Sequence, residues 1–225
     1  MQAQATTAVA DHRVIAVLRA AEAARPEVRL EDWDGLEVVV KDYTVRATAV
    51  KLRMGRFLVR REYAAHARLE GLKGVPPAVP SGSRHIFAHV YVPGCPVTEV
   101  REPLTQAFFE ELRELVDAIH RRATAHGDLT RLQNVLVQPD GSPALIDFSA
   151  AIVSGSNPLA CVLLSYMQND DLRAIAKIKQ RQAPHLVTEE DLALLRESSR
   201  VARGWRWVRS YLRPWLQKRT DPGGE

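Results

Sequence analysis

The sequence has little cysteine and no glycine-rich loop near its N terminus. Its 225 residues include two cysteines, Cys95 and Cys161, whose separation fits neither a disulfide framework nor a CxxC pair. We therefore expect a reducing compartment and no disulfide partner. Gly35 is the only glycine before Lys41, which excludes a GxGxxG phosphate-binding loop from that region.

The sequence also lacks a long hydrophobic run. The apolar stretch from Leu159 to Tyr166 is too short to span a bilayer, so it indicates a buried segment and not a membrane anchor. No secretory signal and no internal repeat is recognisable in the sequence. Together these features predict a cytoplasmic protein.

The composition is that of a folded domain with its own core. Hydrophobic residues make up 46% of the chain and charged residues 26%, so a full core can form without disulfides. The formal net charge of +4 is modest and argues only weakly for an anionic partner. No nucleic-acid-binding motif accompanies the basic residues, so nucleic acid is not expected as a partner.

Three polar residues between His126 and Phe148 carry the clearest chemical signal. They lie in HGDLTRLQNVLV and in ALIDF, and they are Asp128, Asn134 and Asp147. Phosphoryl transfer needs little covalent help from a protein but much positioning and charge neutralisation. Asp128, in a loop that leaves a helix, can accept the proton of an attacking hydroxyl. Amide and carboxylate oxygens are the hard ligands that Mg²⁺ takes.

A predicted hairpin brings two of these residues together. Asn134 opens the apolar run NVLV, and the following turn contains Asp140-Gly141, a strong hairpin signal. The returning strand ALI is expected to carry Asp147 to a position beside Asn134, which builds one metal site from two distant positions. Each residue alone could instead cap a turn or end a strand. Their combination around the hairpin favours the metal site.

The segment resembles the catalytic and magnesium loops of the protein-kinase-like superfamily. It is most similar to the small, atypical bacterial branch with RIO-type kinases and the lipopolysaccharide core kinases of heptose and Kdo. The HGD sequence also resembles that of aminoglycoside phosphotransferases. The resemblance implies a reduced bilobal α+β fold, with a small β-rich N-lobe at residues 1–92 and a mainly helical C-lobe at residues 93–225. It also implies the use of ATP and Mg²⁺.

The resemblance assigns a role to each polar residue. Asp128 matches the catalytic aspartate, Asn134 the metal-binding asparagine, and Asp147 the metal-binding aspartate of the DFG motif. Two departures from the family pattern are visible. Asn134 follows Asp128 by six positions, one more than is usual, so the loop must accommodate an extra residue. Ser149 replaces the glycine of DFG, which disfavours a large flip of this segment.

The same resemblance implies a strand lysine paired with a helix glutamate. Lys41 is the only cation of the strand LEVVVKDY, and Glu62 lies 21 positions later in the helical pattern RREYAAHARLEGL. Lys51, in a second strand-like run TAVKLR, and Glu70, nearer the helix end, are alternatives. We favour Lys41 and Glu62 as the catalytic pair, because their spacing leaves room for a connection and a turn of helix. Lys41 is then expected to contact the nucleotide phosphates.

Nucleotide contacts other than Lys41 are predicted from position. Without a glycine-rich loop, phosphate coverage must come from a turn without glycine or from a short loop at residues 33–35, or be absent. The run HIFAHVYV indicates the last strand of the small lobe, where backbone groups of His89, Val90 and Tyr91 are expected to meet the adenine ring. His85 and His89 have no nearby cysteine or carboxylate partner, so no zinc site is expected.

Three further segments are predicted to be helical. Residues 104–121 place apolar side chains at intervals of three to four, with charged residues facing outward. Residues 11–24 are predicted to form a short helix without a clear role. Asp170 and Asp171 are expected in the first turn of a helix through DDLRAIAKIK, where carboxylates favour the helix dipole.

The C-terminal segment has two interpretations. Residues 196–219 contain eight basic residues and one acidic residue. Four aromatic residues lie between them: Trp205, Trp207, Tyr211 and Trp215. Such a segment can bind anionic lipid headgroups and thereby contact the inner membrane peripherally. The alternative is a helical stripe packed in the core, formed by Val201, Trp205, Val208, Leu212 and Trp215. Both interpretations can hold together.

These features predict an ATP- and magnesium-dependent phosphotransferase. The acceptor is expected to be a hydroxyl, in first place that of a lipopolysaccharide or other anionic glycolipid sugar. A RIO-like protein kinase is the second expectation and a small-molecule kinase the third. A pseudokinase, which is a binding scaffold without turnover, is the alternative from a different class. The missing glycine loop favours the pseudokinase, whereas the complete set of charged groups opposes it.

Overall fold

The computed structural model describes residues 12–22, 25–154 and 158–196. Its N-terminal part is a five-stranded antiparallel sheet with the strand order β1-β2-β3-β5-β4. The strands are β1 (His12–Arg19), β2 (Glu27–Trp33), β3 (Leu36–Asp42), β4 (Ala78–Val79) and β5 (Ile86–Val90). Asp34 and Gly35, between β2 and β3, both have positive φ, 55° and 88°, which suits the twist of a two-residue hairpin.

The first strand stands where the sequence predicted a helix. Residues 12–19 pair antiparallel with β2, so the expectation of a short helix over residues 11–24 is wrong. The β-branched side chains of Val14, Ile15 and Val17 favour an extended chain. Backbone hydrogen bonds to β2 outweigh the helix propensity of the neighbouring alanines.

Helix α1 (Ala49–Arg68) follows β3 and packs against β5. It begins well before the pattern that predicted it and includes Lys51, so the strand expected at TAVKLR is wrong. Thr48 caps the helix by accepting a hydrogen bond from the Lys51 N–H at 3.1 Å, and strong helix formers follow. Gly55 allows close packing, because a Cβ there would lie 2.6 Å from the Cβ of Tyr43.

The rest of the described chain is mainly helical. Helices α2 (Gln106–Arg121) and α3 (Pro158–Gln182) dominate it, and residues 189–196 are again helical. The short strands are β6 (Cys95–Pro96), β7 (Thr124–Ala125), β8 (Val135–Val137), β9 (Pro143–Leu145) and β10 (Ile152–Val153). They form a three-stranded sheet, β6-β8-β9, and a pair, β7-β10. The boundary predicted after residue 92 falls shortly after the end of β5.

Two local predictions are confirmed in this part. The helix expected over residues 104–121 is α2, and its periodic apolar face is buried. Thr105 caps this helix by accepting a hydrogen bond from the Phe108 N–H at 3.2 Å. Strands β8 and β9 form the expected hairpin, in which Gly141 has a φ of 84°.

Helix α3 is longer than the sequence indicated. It begins at Pro158, so Asp170 and Asp171 lie in its middle and the expectation that they occupy a first turn is wrong. The apolar run from Leu159 to Tyr166 belongs to the same helix. A buried carboxylate in the middle of a helix needs partners of its own, and Asp171 finds them in a neighbouring loop.

The main core lies around α2, between the β8-β9 hairpin and α3. Its α2 residues are Phe108, Phe109, Leu112, Leu115, Val116 and Ile119. Val135, Leu145, Phe148 and Ile178 pack in the same cluster. Burial of apolar side chains against α2 therefore stabilises the hairpin that carries the predicted site.

The described ranges contain no helix that is both long and apolar enough to cross a membrane. The basic, aromatic segment at residues 196–219 lies outside the described residues, apart from Arg196.

Candidate active site

Lys41 is the centre of the site. It lies near the end of β3, opposite Val28 of β2 and Phe87 of β5. Its buried Nζ donates to Glu62 Oε1 at 2.5 Å and to Asp147 Oδ1 at 2.7 Å. The structure thus brings together a strand, a helix and the segment after β9 at one ammonium group.

The charges of this cluster shift one another's titration. Burial alone would lower the pKa of Lys41, but the carboxylates of Glu62 and Asp147 hold it above its usual range. Burial would raise the pKa of Asp147, but the Lys41 ammonium holds it well below its usual range. Lys41 therefore stays cationic and Asp147 anionic over the physiological range.

Glu62 is less well compensated than Asp147. Burial raises the pKa of Glu62 to about 7, although the charge of Lys41 acts in the opposite direction. Its Oε2 is buried and has no hydrogen-bond partner among the described residues. This carboxyl group accordingly changes its protonation near neutral pH.

The alternative residues have other contacts. Lys51 is buried, and its Nζ donates to the carbonyl oxygens of Glu22 at 3.1 Å and Val45 at 2.7 Å. Glu70 lies beyond the end of α1 and is exposed; its backbone carbonyl accepts a hydrogen bond from Arg122. Neither residue takes part in the cluster around Lys41.

Asp147 has a backbone conformation that few residues adopt. Its φ of 65° and ψ of 67° place it in the left-handed region, which aspartate tolerates better than most residues. Ser149, at the position expected for a glycine, donates from Oγ to Asp147 Oδ1 at 2.7 Å. The serine hydroxyl therefore holds the aspartate carboxylate in place beside Lys41.

The loop that carries Asp128 is fixed by a buried carboxylate. Asp171 of α3 accepts the backbone N–H of His126 at 2.8 Å and that of Gly127 at 2.9 Å. Its Oδ2 also lies 3.1 Å from Nε2 of His120. The sequence did not predict Asp171 as a site residue, because its contacts are with a loop 44 and 45 positions away. The available signal was an acidic residue directly before the apolar positions of LRAIAKIK.

Asp128 lies at the surface of the site, with its side chain 25% exposed. Arg131 approaches its Oδ2 at 3.2 Å. The Asn134 side chain donates from Nδ2 to the backbone carbonyl of Asp128 at 3.0 Å. Between them, residues 132–134 form a single 3-10 turn, which accommodates the extra residue of this loop.

Asn134 and Asp147 are brought to adjacent strand ends. Val135 pairs with Leu145, and the Ile146 N–H donates to the Asn134 carbonyl at 3.0 Å. Because Asn134 uses its Nδ2 for Asp128, its amide oxygen is left as an acceptor.

The donor set suits Mg²⁺ and not a soft metal. The described residues contain no group of three or more His, Cys, Asp or Glu side chains placed to hold an ion. Mg²⁺ is usually bound through one or two protein oxygens, with phosphate oxygens and water completing its shell. The Asn134 amide oxygen and the Asp147 carboxylate fit that pattern.

The β2-β3 turn is too far from Lys41 to cover phosphates there. Trp33 pairs with Leu36 beside the turn, whereas Lys41 pairs with Val28 at the other end of the strands. The short loop at residues 33–35 therefore lies at the opposite end of these strands from Lys41 and cannot cover phosphates bound there. The end of β1 and the start of β2 lie at the Lys41 end, because Arg19 pairs with Val28 and Val28 with Lys41.

The residues predicted to meet adenine are partly engaged within the protein. His89 is buried, and its Nδ1 lies 2.8 Å from the Val90 carbonyl. The Val90 N–H donates to Pro77 and the Tyr91 N–H to Glu37, both at 2.9 Å. Burial lowers the pKa of His89 to about 3, so its ring is neutral.

Solved structures share this fold. The Rio2 kinase from Chaetomium thermophilum, in an ADP/Mg²⁺-phosphoaspartate complex, aligns with a TM-score of 0.60 and 21% identity. That alignment covers 78% of this chain and 58% of the Rio2 chain. A second structure of Rio2 kinase from the same organism gives a TM-score of 0.59 at 21% identity, covering 78% of this chain and 60% of the other.

These similarities confirm the predicted α+β, protein-kinase-like fold, with a β-rich N-terminal part and a mainly helical remainder. This chain spans about three-fifths of the length of the two Rio2 structures. No protein-family model matches the sequence, and no curated protein is similar to it.

Proposed function

We propose that this protein transfers the γ-phosphoryl group of ATP, bound with Mg²⁺, to a hydroxyl acceptor. The observation that carries this proposal is the double contact of Lys41 Nζ with Glu62 and Asp147. A cation held between a helix carboxylate and a metal-binding carboxylate is suited to neutralise phosphate charge.

Each residue of the cluster has its role in this proposal. Lys41 binds the nucleotide phosphates and Glu62 orients its ammonium group. Asn134 and Asp147 hold Mg²⁺, which neutralises the charge on the phosphates. Asp128, whose side chain is 25% exposed, accepts the proton of the attacking hydroxyl or orients that hydroxyl.

The adenine ring is proposed to bind beside His89, Val90 and Tyr91. Val90 and Tyr91 already use their N–H groups within the protein, so contacts are expected from the Tyr91 carbonyl and the backbone that follows it. The ring of His89 is buried and neutral, so it adds no charge beside the proposed adenine site.

A glycolipid sugar hydroxyl is the first acceptor that we propose, at the cytoplasmic face of the inner membrane. The basic, aromatic composition of residues 196–219 supports an anionic lipid partner. Residues 197–219 lie outside the described part of the chain, so this support comes from the sequence alone.

RIO-like activity is the second proposal. The fold similarity to Rio2 kinase favours it, and the Rio2 complex carries a phosphoaspartate. By analogy, an aspartate of this chain can be the acceptor, with hydrolysis of the acyl phosphate releasing inorganic phosphate. A silent pseudokinase is disfavoured, since an inactive scaffold does not need all five groups of the cluster.

The test compares wild-type protein with Asp147→Asn and Asp128→Asn. We expect ATP to raise the Tm only with Mg²⁺, an effect lost in Asp147→Asn and retained in Asp128→Asn. Turnover of ATP should be lost in both variants. Asp117→Asn, at a half-buried carboxylate of α2, is the matched control.

Product analysis distinguishes the proposed acceptors. Labelled phosphate is followed to purified lipopolysaccharide, to the protein itself and to water. Label in the lipopolysaccharide supports the first proposal, and label in the protein or in free phosphate supports the second. An unchanged wild-type Tm with ATP and Mg²⁺ contradicts the proposed site.

A further inference from the structure

We infer that Arg61 is a positioning residue that holds the segment after Asp147 against helix α1. Its guanidinium group donates from Nε to the Ala151 carbonyl at 2.5 Å and from Nη2 to the Ala150 carbonyl. Only the expected effect on turnover rests on the function proposed above, because the contact itself does not depend on it.

Arg61 closes a ring of contacts around the metal-binding carboxylate. It is the sequence neighbour of Glu62, which binds Lys41, and Lys41 binds Asp147. The chain after Asp147 turns back within a 3-10 turn to Ala150, which Arg61 holds. Two parts of this ring are continuous backbone, one in α1 and one in the turn after Asp147. The other parts are the contacts of Lys41 and of Arg61, so Asp147 can move only if one of these contacts breaks.

The backbone of Asp147 needs such a restraint. Its left-handed conformation, with φ 65° and ψ 67°, is unfavourable for a residue with a side chain and persists where surrounding contacts over-determine it. Lys41 and Ser149 restrain the carboxylate, whereas Arg61 restrains the backbone a few residues later. The two restraints act on opposite ends of the turn.

The carbonyl of Ala150 also connects this ring to the catalytic loop. Gly127 has a φ of 79°, and a Cβ at that position would lie 2.6 Å from the Ala150 oxygen. Glycine therefore lets the loop that carries Asp128 approach the carbonyl that Arg61 binds. The Ala150 carbonyl, in the segment after Asp147, is thus approached both by Arg61 of helix α1 and by Gly127 of the loop that carries Asp128.

The geometry suits an arginine. Among the residues that the structure describes, Arg61 contacts two neutral carbonyls and no carboxylate, and burial lowers its pKa. A partly buried cation without a carboxylate is a costly way to add stability alone. The planar fork of guanidinium donors reaches two successive carbonyls, which a single ammonium cannot do in the same geometry.

Hydrogen exchange tests the contact independently of activity. The Ala151 N–H donates to the Phe148 carbonyl at 2.9 Å and reports on the turn. We expect its exchange to be about tenfold faster in Arg61→Met, as loss of a charge-assisted hydrogen bond implies, and partly restored in Arg61→Lys. Arg60→Met, at an exposed position of the same helix, is the control. Equal exchange in Arg61→Met and Arg60→Met overturns the inference.

Magnesium dependence separates positioning from general stability. We expect Arg61→Met to need about tenfold more Mg²⁺ for half-maximal ATP turnover, while KM for ATP at saturating Mg²⁺ stays within about twofold. A lower Tm with an unchanged Mg²⁺ requirement indicates a merely structural role and also overturns the inference. If wild-type protein shows no turnover at all, the proposed function fails, and the exchange comparison still decides the role of Arg61. If Arg61→Met does not fold, exchange in Arg61→Lys is compared with the wild type instead.

Discussion

Lys41 and Asp147 are 106 positions apart in the sequence, and their side chains meet at 2.7 Å. Lys41 also binds Glu62, so one buried ammonium group joins the N-terminal sheet and α1 to the hairpin of the mainly helical part. The contact is both a structural link and the centre of the proposed site. Its removal should consequently affect stability as well as nucleotide binding.

Replacing Lys41 with methionine should destabilise the protein strongly. The substitution keeps most of the length of the side chain and leaves the buried carboxyl of Glu62 without its cation, which is expected to cost about 3–5 kcal/mol of unfolding free energy. Urea denaturation at pH 7 measures the loss. Adding Glu62→Gln to Lys41→Met should recover part of it, because the uncompensated carboxyl is then removed.

The control for this change is Arg113→Met, which removes a more exposed ion pair with Asp117. That variant should lose no more than about 1 kcal/mol. Equal losses in Arg113→Met and Lys41→Met contradict the view that Lys41 is the central link.

How far the sequence predicted this site depends on the range of the contacts involved. The β8-β9 hairpin followed from Asp140-Gly141, and α2 followed from its apolar period, because both signals are local. The ion pair of Lys41 with Glu62 was inferred from a resemblance, and the structure brings these two side chains together.

The features that the sequence did not predict depend on distant partners. β1 gains its hydrogen bonds from β2, so local alanines gave a misleading helical signal. Asp171 binds the loop at His126 and Gly127, and Arg61 binds carbonyls 89 and 90 positions away. No pattern within a short window carries such information.

Glu62 should make stability depend on pH near neutrality. Its folded pKa of about 7 lies above the ordinary value of 4.5, so the folded state binds the extra proton between these values. The contribution of Glu62 is therefore present below pH 4.5 and is lost as pH rises through 7.

Urea denaturation of wild type and Glu62→Gln at several pH values measures this contribution. Relative to the variant, the wild type should lose about 1 kcal/mol or more between pH 5 and pH 8. Glu70→Gln, an exposed glutamate near the end of the same helical region, should follow the wild type. A constant difference between wild type and Glu62→Gln over this range contradicts the raised pKa.

His66 should contribute to acid sensitivity. Burial lowers its pKa to about 4 from an ordinary 6.5, so the unfolded state binds more protons between these values. Stability from His66 is present above pH 6.5 and is lost as pH falls towards 4. The neighbouring charge of Lys41 acts in the same direction.

The His66→Phe variant should lose less unfolding free energy than the wild type as the pH falls from 6.5 to 4. The acid limb of its stability curve should therefore be flatter. The variant can keep ring contacts with Phe87 and Phe148, whose centroids lie 5.0 and 5.1 Å from that of His66. Between pH 6.5 and pH 4 it should lose about 1–3 kcal/mol less unfolding free energy than the wild type does. The exposed His185→Phe should leave the limb unchanged. Parallel acid limbs in wild type and His66→Phe would show that the histidine is not the sensor.

Asp171→Asn should weaken the loop that carries Asp128 more than it weakens the fold. The wild-type carboxylate uses both oxygens, one for the His126 N–H and one for the Gly127 N–H, whereas an asparagine offers only one acceptor oxygen. Leaving one buried N–H unsatisfied is expected to cost about 1–3 kcal/mol of unfolding free energy. Because these amides precede Asp128, turnover should fall further than stability alone explains, with kcat reduced and KM for ATP nearly unchanged. Asp170→Asn, at the adjacent position, should retain wild-type kcat. If both variants have the same kcat, the buried carboxylate supports only the fold and does not position the loop.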